Sequence, residues 1–273
     1  MLELIEPGPF VTPALVVALD GWVNAGSAGT LAAAAVAPAG QVVARFDPDR
    51  LYDYRMMRPT VDFVDGVIDG IEWPELTVLR TTVGGRDLLV LTGPEPNWNW
   101  RELSASLIAA CRSWGVVEFI GIGGVPWAAP HTRPITVMST ASSPERLQQW
   151  PDQPEGLLRV PAAAVTAIDF EVASAGIPTI GFWARVPNYV GSAFPSAAMA
   201  LVERLSAHLA VPFDLDDLKR QVAEHLIQVE AIIEQRPDVR TMVEQLEQVY
   251  DSTTGVTGED LAAEIERFLR DQR

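Results

Sequence analysis

The stretch LDGWVNAGSAGT, residues 19–30, places a carboxylate, an indole, an amide and three glycines directly after an apolar run. Loops of this kind hold a phosphate or position a nucleophile in many α/β proteins. A Walker loop would need Lys and then Ser or Thr after Gly26, but Ser27 and Ala28 stand there. The dinucleotide pattern also fails, because no Gly-x-Gly motif precedes Gly26. The candidate ligand-binding residues of this loop are Asp20, Trp22, Asn24 and Gly26.

Two other interpretations of this loop stay open. The sequence AGSAG around Ser27 resembles a nucleophile elbow, although five loop residues separate it from the preceding strand. Alternatively, Gly26, Ala28 and Gly29 let the following helix lie close to the sheet, with Asn24 as its N-cap. Even then, the free N–H groups of the helix would point to the strand ends, where ligands bind in open α/β sheets.

A second polar segment, GPEPNWNW at residues 93–100, follows another apolar strand. Glu95 lies between two prolines and at the same edge of the sheet as Asp20. Two carboxylates that face one pocket can act as acid and base. Asn97 is the other candidate ligand-binding residue here. The alternative is a structural ion pair between Glu95 and Arg133.

A third segment, GIGGVPWAAPHTRP at residues 121–134, carries a titratable group and a cation. Gly123 and Gly124 permit a close approach of the backbone to another group. His131 can transfer a proton, and Arg133 can bind an anion. We therefore expect all four residues to line the pocket.

Tyr189 follows the last core strand, where it either contacts a ligand or packs against the protein. Glu95 and His131 are the candidate catalytic residues. We predict no metal and no cofactor, since His208 and His225 lie on predicted helices without nearby ligand partners. Cys111 falls on the core face of its helix, which favours a buried apolar role.

These residues need a scaffold, and strand-like and helix-like segments alternate from residue 14 to about 210. That alternation predicts a three-layer α/β fold with a mainly parallel sheet. Residues 47–86 interrupt it with alternating segments and a Gly84-Gly85 turn, which predicts a β-hairpin insertion. We therefore divide the chain into an α/β core at 1–212, which includes this insertion, and a helical lid at 213–273.

The predicted lid is acidic: residues 214–273 carry 15 acidic and 7 basic side chains. Apolar residues at helical spacing predict two amphipathic helices between Leu215 and Val249. A third helix is marked by Leu261, Ile265 and Leu269, after a joint at Thr253–Gly258. We expect the lid to cover or present the pocket.

The formal net charge of −16 argues against nucleic acid as a partner, because phosphate binding requires clustered Lys and Arg. It also disfavours an anionic membrane surface. No apolar stretch reaches the length of a membrane span, and the N-terminus does not resemble a signal peptide. The single cysteine fits a reducing compartment, so we expect a cytoplasmic protein.

Several phrases together resemble one family. They are ALDGWVNAG, DYRMMRP, LTGPEPNWNW, PHTRP, VPNYVGSAFPSAA and IERFLR. In this order they are similar to proteins related to the second proteasome assembly chaperone, in the actinobacterial branch. The resemblance implies a core similar to nucleoside phosphorylases and peptidyl hydrolases, a homotrimer, a hairpin insertion and a C-terminal lid.

The resemblance implies less about activity. Eukaryotic and archaeal relatives escort proteasome subunits, and the family defines no catalytic motif that can be carried over. A typical PHY motif is replaced here by Pro187-Asn188-Tyr189, which weakens an acid–base role for that loop. The first hypothesis is a chaperone-like protein that binds a protein client or a small ligand. The alternative is a hydrolase or transferase acting on a nucleoside-like or amino-acid-like molecule beneath the lid.

Overall fold

The apolar run that ends at Asp20 forms a central strand of an eight-stranded sheet in the computed structural model of the protein, which describes residues 1–191 and 193–254. The strands are β1 (Leu2–Leu4), β2 (Ala14–Asp20), β3 (Gln41–Phe46), β4 (Thr60–Val64), β5 (Val67–Glu72), β6 (Thr77–Val83), β7 (Arg86–Pro94), β8 (Glu118–Trp127), β9 (Val137–Ala141) and β10 (Thr179–Pro187). The helices are α1 (Ala28–Val36), α2 (Pro48–Leu51), α3 (Trp100–Trp114), α4 (Ala164–Ser174), α5 (Pro195–Leu209), α6 (Asp216–Glu234) and α7 (Pro237–Thr254).

The strand order in the large sheet is β1-β3-β6-β7-β2-β8-β10-β9. The central strands β7, β2, β8 and β10 are parallel, and the pairings outside them are antiparallel. The parallel centre explains why these strands read as continuous apolar runs, since helices cover both of their faces. The predicted α/β fold class is confirmed.

Side chains of β2 alternate between two apolar layers. Leu15 and Val17 pack with the layer beneath α3 and α4, whereas Val16 and Ala18 pack with the layer beneath α1 and α5. All four are completely buried. The sheet therefore forms a rigid platform with its parallel strands ending at one edge, which is where the candidate residues were expected.

A second sheet consists of the hairpin β4–β5 alone. Its turn is at Asp65-Gly66. Gly84-Gly85 instead joins β6 to β7, and both of these strands belong to the large sheet. The hairpin that stands outside the large sheet is therefore shorter than the predicted insertion at 47–86.

The C-terminal helices α6 and α7 follow α5, and their amphipathic pattern is that expected from the sequence. The predicted third helix, with Leu261, Ile265 and Leu269, and the end of the predicted joint at Gly258 lie outside the described residues. After β9 the chain forms a short 3₁₀ turn, Pro144–Leu147. Within the described residues, no helix is both long and apolar enough to cross a bilayer.

Candidate functional site

Glu95 forms hydrogen bonds to three separate segments at the carboxyl edge of the sheet. Its Oε2 accepts a hydrogen bond from the Trp22 N–H at 2.7 Å, and its Oε1 accepts one from the Ala164 N–H at 2.5 Å. The Glu95 N–H in turn donates to the Asp20 carbonyl at 2.8 Å. Ala164 is the first residue of α4, so the negative carboxylate also meets the positive end of that helix. Glu95 contacts backbone amides here and not Arg133.

Asn24 bonds to the start of α1 from outside the helix, whose N-cap position is Ser27 and not Asn24 as predicted. Its Oδ1 accepts hydrogen bonds from the N–H groups of Gly29 at 3.0 Å and Thr30 at 3.3 Å. Its amide nitrogen donates to Asp20 Oδ1 at 2.9 Å and to Thr30 Oγ1 at 3.0 Å. Both ends of this buried side chain are thus engaged in local structure.

Gly123 and Gly124 lie where the backbone of the loop after β2 crosses β8. A Cβ at residue 123 would overlap the Val23 carbonyl, and one at residue 124 would overlap the Ala25 carbonyl. The Gly124 N–H donates to the Val23 carbonyl at 2.8 Å. The close approach expected at these glycines is therefore made by the opening loop itself.

The remaining candidates at this edge are arranged differently. Trp22 is 67% exposed, and the backbone of Gly26 has a φ of +60°. Asn97 Oδ1 accepts a hydrogen bond from the Asp53 N–H at 2.9 Å. A cleft of about 350 Å³ lies beside Asn24, Gly26 and Asn188. Asn97 thus fixes one loop to another, whereas the side chain of Trp22 is exposed to solvent.

The segment 131–133 contacts the acidic C-terminal helices. The Arg133 guanidinium donates to both Asp251 oxygens at 2.8 and 2.7 Å and to Glu247 Oε1 at 3.2 Å. The Thr132 hydroxyl donates to the same Glu247 oxygen. Hydrogen bonding to Asp251 raises the pKa of Arg133, and the guanidinium lowers the pKa of Asp251. We call this set of polar contacts, together with the His131 contacts below, the lid anchor.

His131 is buried between Tyr189 and α6. The Tyr189 hydroxyl accepts a hydrogen bond from the His131 backbone N–H at 2.7 Å and lies 2.8 Å from Nδ1. Nε2 is 3.2 Å from Glu230 Oε1. Burial, followed by the charges of Glu247 and Glu230, raises the pKa of Tyr189 to about 12, so its hydroxyl stays protonated at neutral pH.

The candidate residues thus form two groups instead of one pocket. Asp20, Asn24, Glu95, Gly123 and Gly124 belong to the loop contacts after β2. His131, Arg133 and Tyr189 belong to the lid anchor. Sequence reasoning missed the acidic partners Glu230, Glu247 and Asp251, although the opposite charges of the PHTRP segment and the acidic helices were a signal. In the part of the chain that the structure describes, no three His, Cys, Asp or Glu side chains cluster as metal ligands would.

Comparison with known families bears on this arrangement. The model of the PAC2 family matches residues 18–233, which is well over half of the chain. The chain belongs to the PAC2 family. The match runs from the end of β2 to the end of α6, so it includes the loop contacts around Glu95, the hairpin β4–β5 and the α6 part of the lid anchor.

Solved structures of similar fold include proteins from Mycobacterium tuberculosis and Streptomyces avermitilis. A Mycobacterium tuberculosis protein of unknown function is 30% identical, with a TM-score of 0.85, covering 94% of this chain and 92% of its own. A proteasome-assembly chaperone homologue from the same organism is 30% identical, with a TM-score of 0.75, covering 80% and 94%. A PAC2 family protein from Streptomyces avermitilis is 32% identical, with a TM-score of 0.72, covering 80% and 95%. No curated protein matches the sequence significantly.

The contacts of the lid anchor lead to a prediction for Arg133. Arg133→Gln should lower the hydrogen-exchange protection factors of α7 amides about fivefold, because the variant loses the ion pairs to Asp251 and Glu247 that join α7 to the core. The pKa of Asp251 is lowered in the folded protein, so its contribution is present at neutral pH and is lost as pH falls through the folded pKa. The acid-induced loss of α7 protection should therefore be smaller in the variant.

Arg236→Gln is the matched control, since Arg236 pairs with Asp238 of the same helix region and not with the core. It should leave protection of α7 near the wild-type value. Equal protection of α7 in wild type and Arg133→Gln would show that the anchor does not hold the helix.

Proposed function

We propose that this PAC2 family member is a chaperone-like protein that acts by binding other polypeptides. Membership of the family supports this, as does 30% identity over 80% of the chain to a protein described as a proteasome-assembly chaperone homologue. A proteasome subunit is the proposed class of client. Two surfaces support the binding of polypeptides: the apolar hairpin β4–β5 for further copies of this chain, and the acidic helices α6 and α7 for the client.

The hairpin β4–β5 exposes apolar side chains on both of its faces. Phe63 is 64% exposed, Val67 69% and Ile68 67%. A two-stranded hairpin is only marginally stable by itself, and contiguous exposed apolar groups mark protein interaction sites. Its strand edges also offer unpaired backbone groups to a partner. A protein partner would bury this surface.

The first partner we propose is a second and third copy of this chain, with the hairpin holding a homotrimer. A closed ring of identical subunits buries the same hairpin in each copy without leaving one exposed. The resemblance stated above led to the same expectation.

The acidic helices α6 and α7 form the second proposed contact surface, for a basic client segment. Their outward-facing carboxylates include Asp216, Asp217 and Glu234, which are exposed. Charge complementarity of this type mainly raises the association rate. We propose further that residues 213–273 form a lid separate from the core at 1–212, and that the protein works in the cytoplasm.

The contacts of Glu95 and His131 give little support to the alternative function, a hydrolase or transferase. Both Glu95 oxygens accept backbone hydrogen bonds, and His131 bonds to Tyr189 and Glu230. Neither of these two candidate catalytic groups lines the clefts of about 480 and 350 Å³ that the described residues form at this side of the sheet.

The hairpin proposal predicts a change in mass. Phe63 and Ile68 lie opposite each other in the hairpin, so the double variant Phe63→Ser/Ile68→Ser should convert the trimer to monomer while circular dichroism stays unchanged. Native mass spectrometry checks this. Asp69→Ser, a polar change in the same hairpin, is the control and should stay trimeric.

The same measurement on protein gently isolated from its own cells tests the client. A bound polypeptide identified as a proteasome subunit would support the proposal. A monomeric wild-type protein, or a double variant that keeps the trimer mass, would contradict the role of the hairpin. A stoichiometric small adduct without any polypeptide would instead favour the enzyme alternative.

A further inference from the structure

A cavity of about 480 Å³ lies between the end of β8, the end of β10 and helix α7. Its volume is within the range of pockets that hold small molecules. Apolar groups dominate one part of its wall, and Trp127, Arg185 and Asp152 supply the aromatic and charged groups. The apolar wall consists of Ala128, Ala129, Pro134, Ile135, Leu246 and Val249.

Arg185 is the chemically distinctive residue of this cavity. Its guanidinium stacks over the Trp127 ring, with Cζ 4.5 Å from the ring centroid. Its Nε is buried and has no hydrogen-bond partner among the described residues. A buried N–H without a partner costs free energy, so the Arg185 guanidinium keeps donor capacity that the described residues do not use.

Arg204, which is nearby, resembles Arg185: its guanidinium lies over the Trp150 ring, and its Nη1 is buried without a hydrogen-bond partner among the described residues. Arg133 shows what both lack, since it forms ion pairs with Asp251 and Glu247. In the described part of the chain, the Arg185 guanidinium forms no ion pair of this kind within 4.0 Å, even though the protein as a whole is strongly acidic.

We propose that this cavity is a binding site for a small carboxylate with an apolar body, whose carboxylate pairs with Arg185. The planar guanidinium, fixed by its stack on Trp127, suits a carboxylate because it can donate two parallel hydrogen bonds. Ile135, Leu246 and Val249 would contact the apolar body. Asp152 disfavours dianions and accommodates a donor group on the ligand. The site is remote from the hairpin contacts and stands independently of the proposed trimer.

Binding would also couple to the C-terminal helices. The cavity wall comes partly from the core and partly from α7, so a bound molecule contacts both. A ligand that binds only when α7 is docked stabilises the docked state by mass action. Helix α7 would then be held to the core at two neighbouring places, by the lid anchor at Arg133 and by the bound ligand.

The test compares carboxylates with their neutral amides. Hexanoate, 4-phenylbutyrate and indole-3-propionate, each with its primary amide, are titrated into protein labelled with 5-fluorotryptophan. The Trp127 signal, assigned with Trp127→Phe, is followed by ¹⁹F NMR. At least one carboxylate should shift it with a Kd below about 1 mM and bind at least about tenfold more tightly than its amide, since the charge-assisted hydrogen bonds are lost in the amide.

Arg185→Gln should remove this preference for the carboxylate, and Arg185→Lys should retain only part of it, because lysine keeps the charge without the planar fork. Arg220→Gln, at an exposed ion pair on α6, is the control and should leave binding unchanged. If Arg185→Gln does not fold, the comparison of carboxylate with amide in wild type and Arg185→Lys decides. The proposal is wrong if every carboxylate binds no better than its amide, or if Arg185→Gln binds it as tightly as wild type.

Discussion

Glu95→Ala should lower the free energy of unfolding by about 2–4 kcal/mol. The substitution leaves the N–H groups of Trp22 and Ala164 without their carboxylate acceptor, and hydrogen bonds to charged groups contribute roughly 1.5–3 kcal/mol each. The Trp22 bond is solvent-exposed, which keeps the expected loss near the lower end. Urea denaturation followed by circular dichroism measures the change.

Glu102→Ala provides the matched control for this experiment. Glu102 pairs with Arg50 on the surface and should cost less than about 1 kcal/mol when replaced. A loss at Glu95 no larger than that at Glu102 would show that the carboxylate does not hold the three segments together. It would also reopen the interpretation of Glu95 as a functional acid or base.

Gly123→Ala should strongly destabilise this edge of the sheet, with a loss of about 3 kcal/mol. The added Cβ would overlap the Val23 carbonyl, and 3.2 Å from it lies the Trp183 ring. Because the first contact is backbone, the loop after β2 must move, and overpacking of this kind costs roughly 1–3 kcal/mol or more. The same urea titration applies.

The control is Gly191→Ala, where an added Cβ meets nothing within 4 Å. Its effect on the free energy of unfolding should stay within about 0.5 kcal/mol. If Gly123→Ala were as mild as this control, the close crossing of the opening loop over β8 would not exist in solution.

The sequence was sufficient for the framework of the fold. The apolar run at residues 14–19 predicted a strand, and the alternation of strand-like and helix-like segments predicted a mainly parallel sheet. Cys111 was expected on the core face of a helix, and it is buried on α3. Asn24 was predicted as a cap because short polar side chains accept hydrogen bonds from free N–H groups at helix starts. It does accept them, although Ser27 is at the N-cap position.

The partners of the candidate site residues were much less predictable. Glu95 binds backbone N–H groups, which every residue possesses, so no side-chain pattern marks its partners. The chain contains many acidic residues that could pair with Arg133. Only the packing of α7 places Asp251 and Glu247 beside it. A pattern of residue types places groups at an edge of the sheet, but the path of each loop decides whether they meet.

The position of β2 in the sheet has a consequence for how the chain is made. Both neighbours of β2 come later in the sequence, since Ala14 aligns with Leu88 of β7 and with Glu118 of β8. At a synthesis rate of about 5–20 residues per second, the first partner strand emerges roughly 4–15 s after β2. During that interval the apolar segment Ala14–Leu19 has no strand to pair with. A chaperone bound at the ribosome, or a pause in translation after β7, would therefore have its largest effect on the pairing of β2.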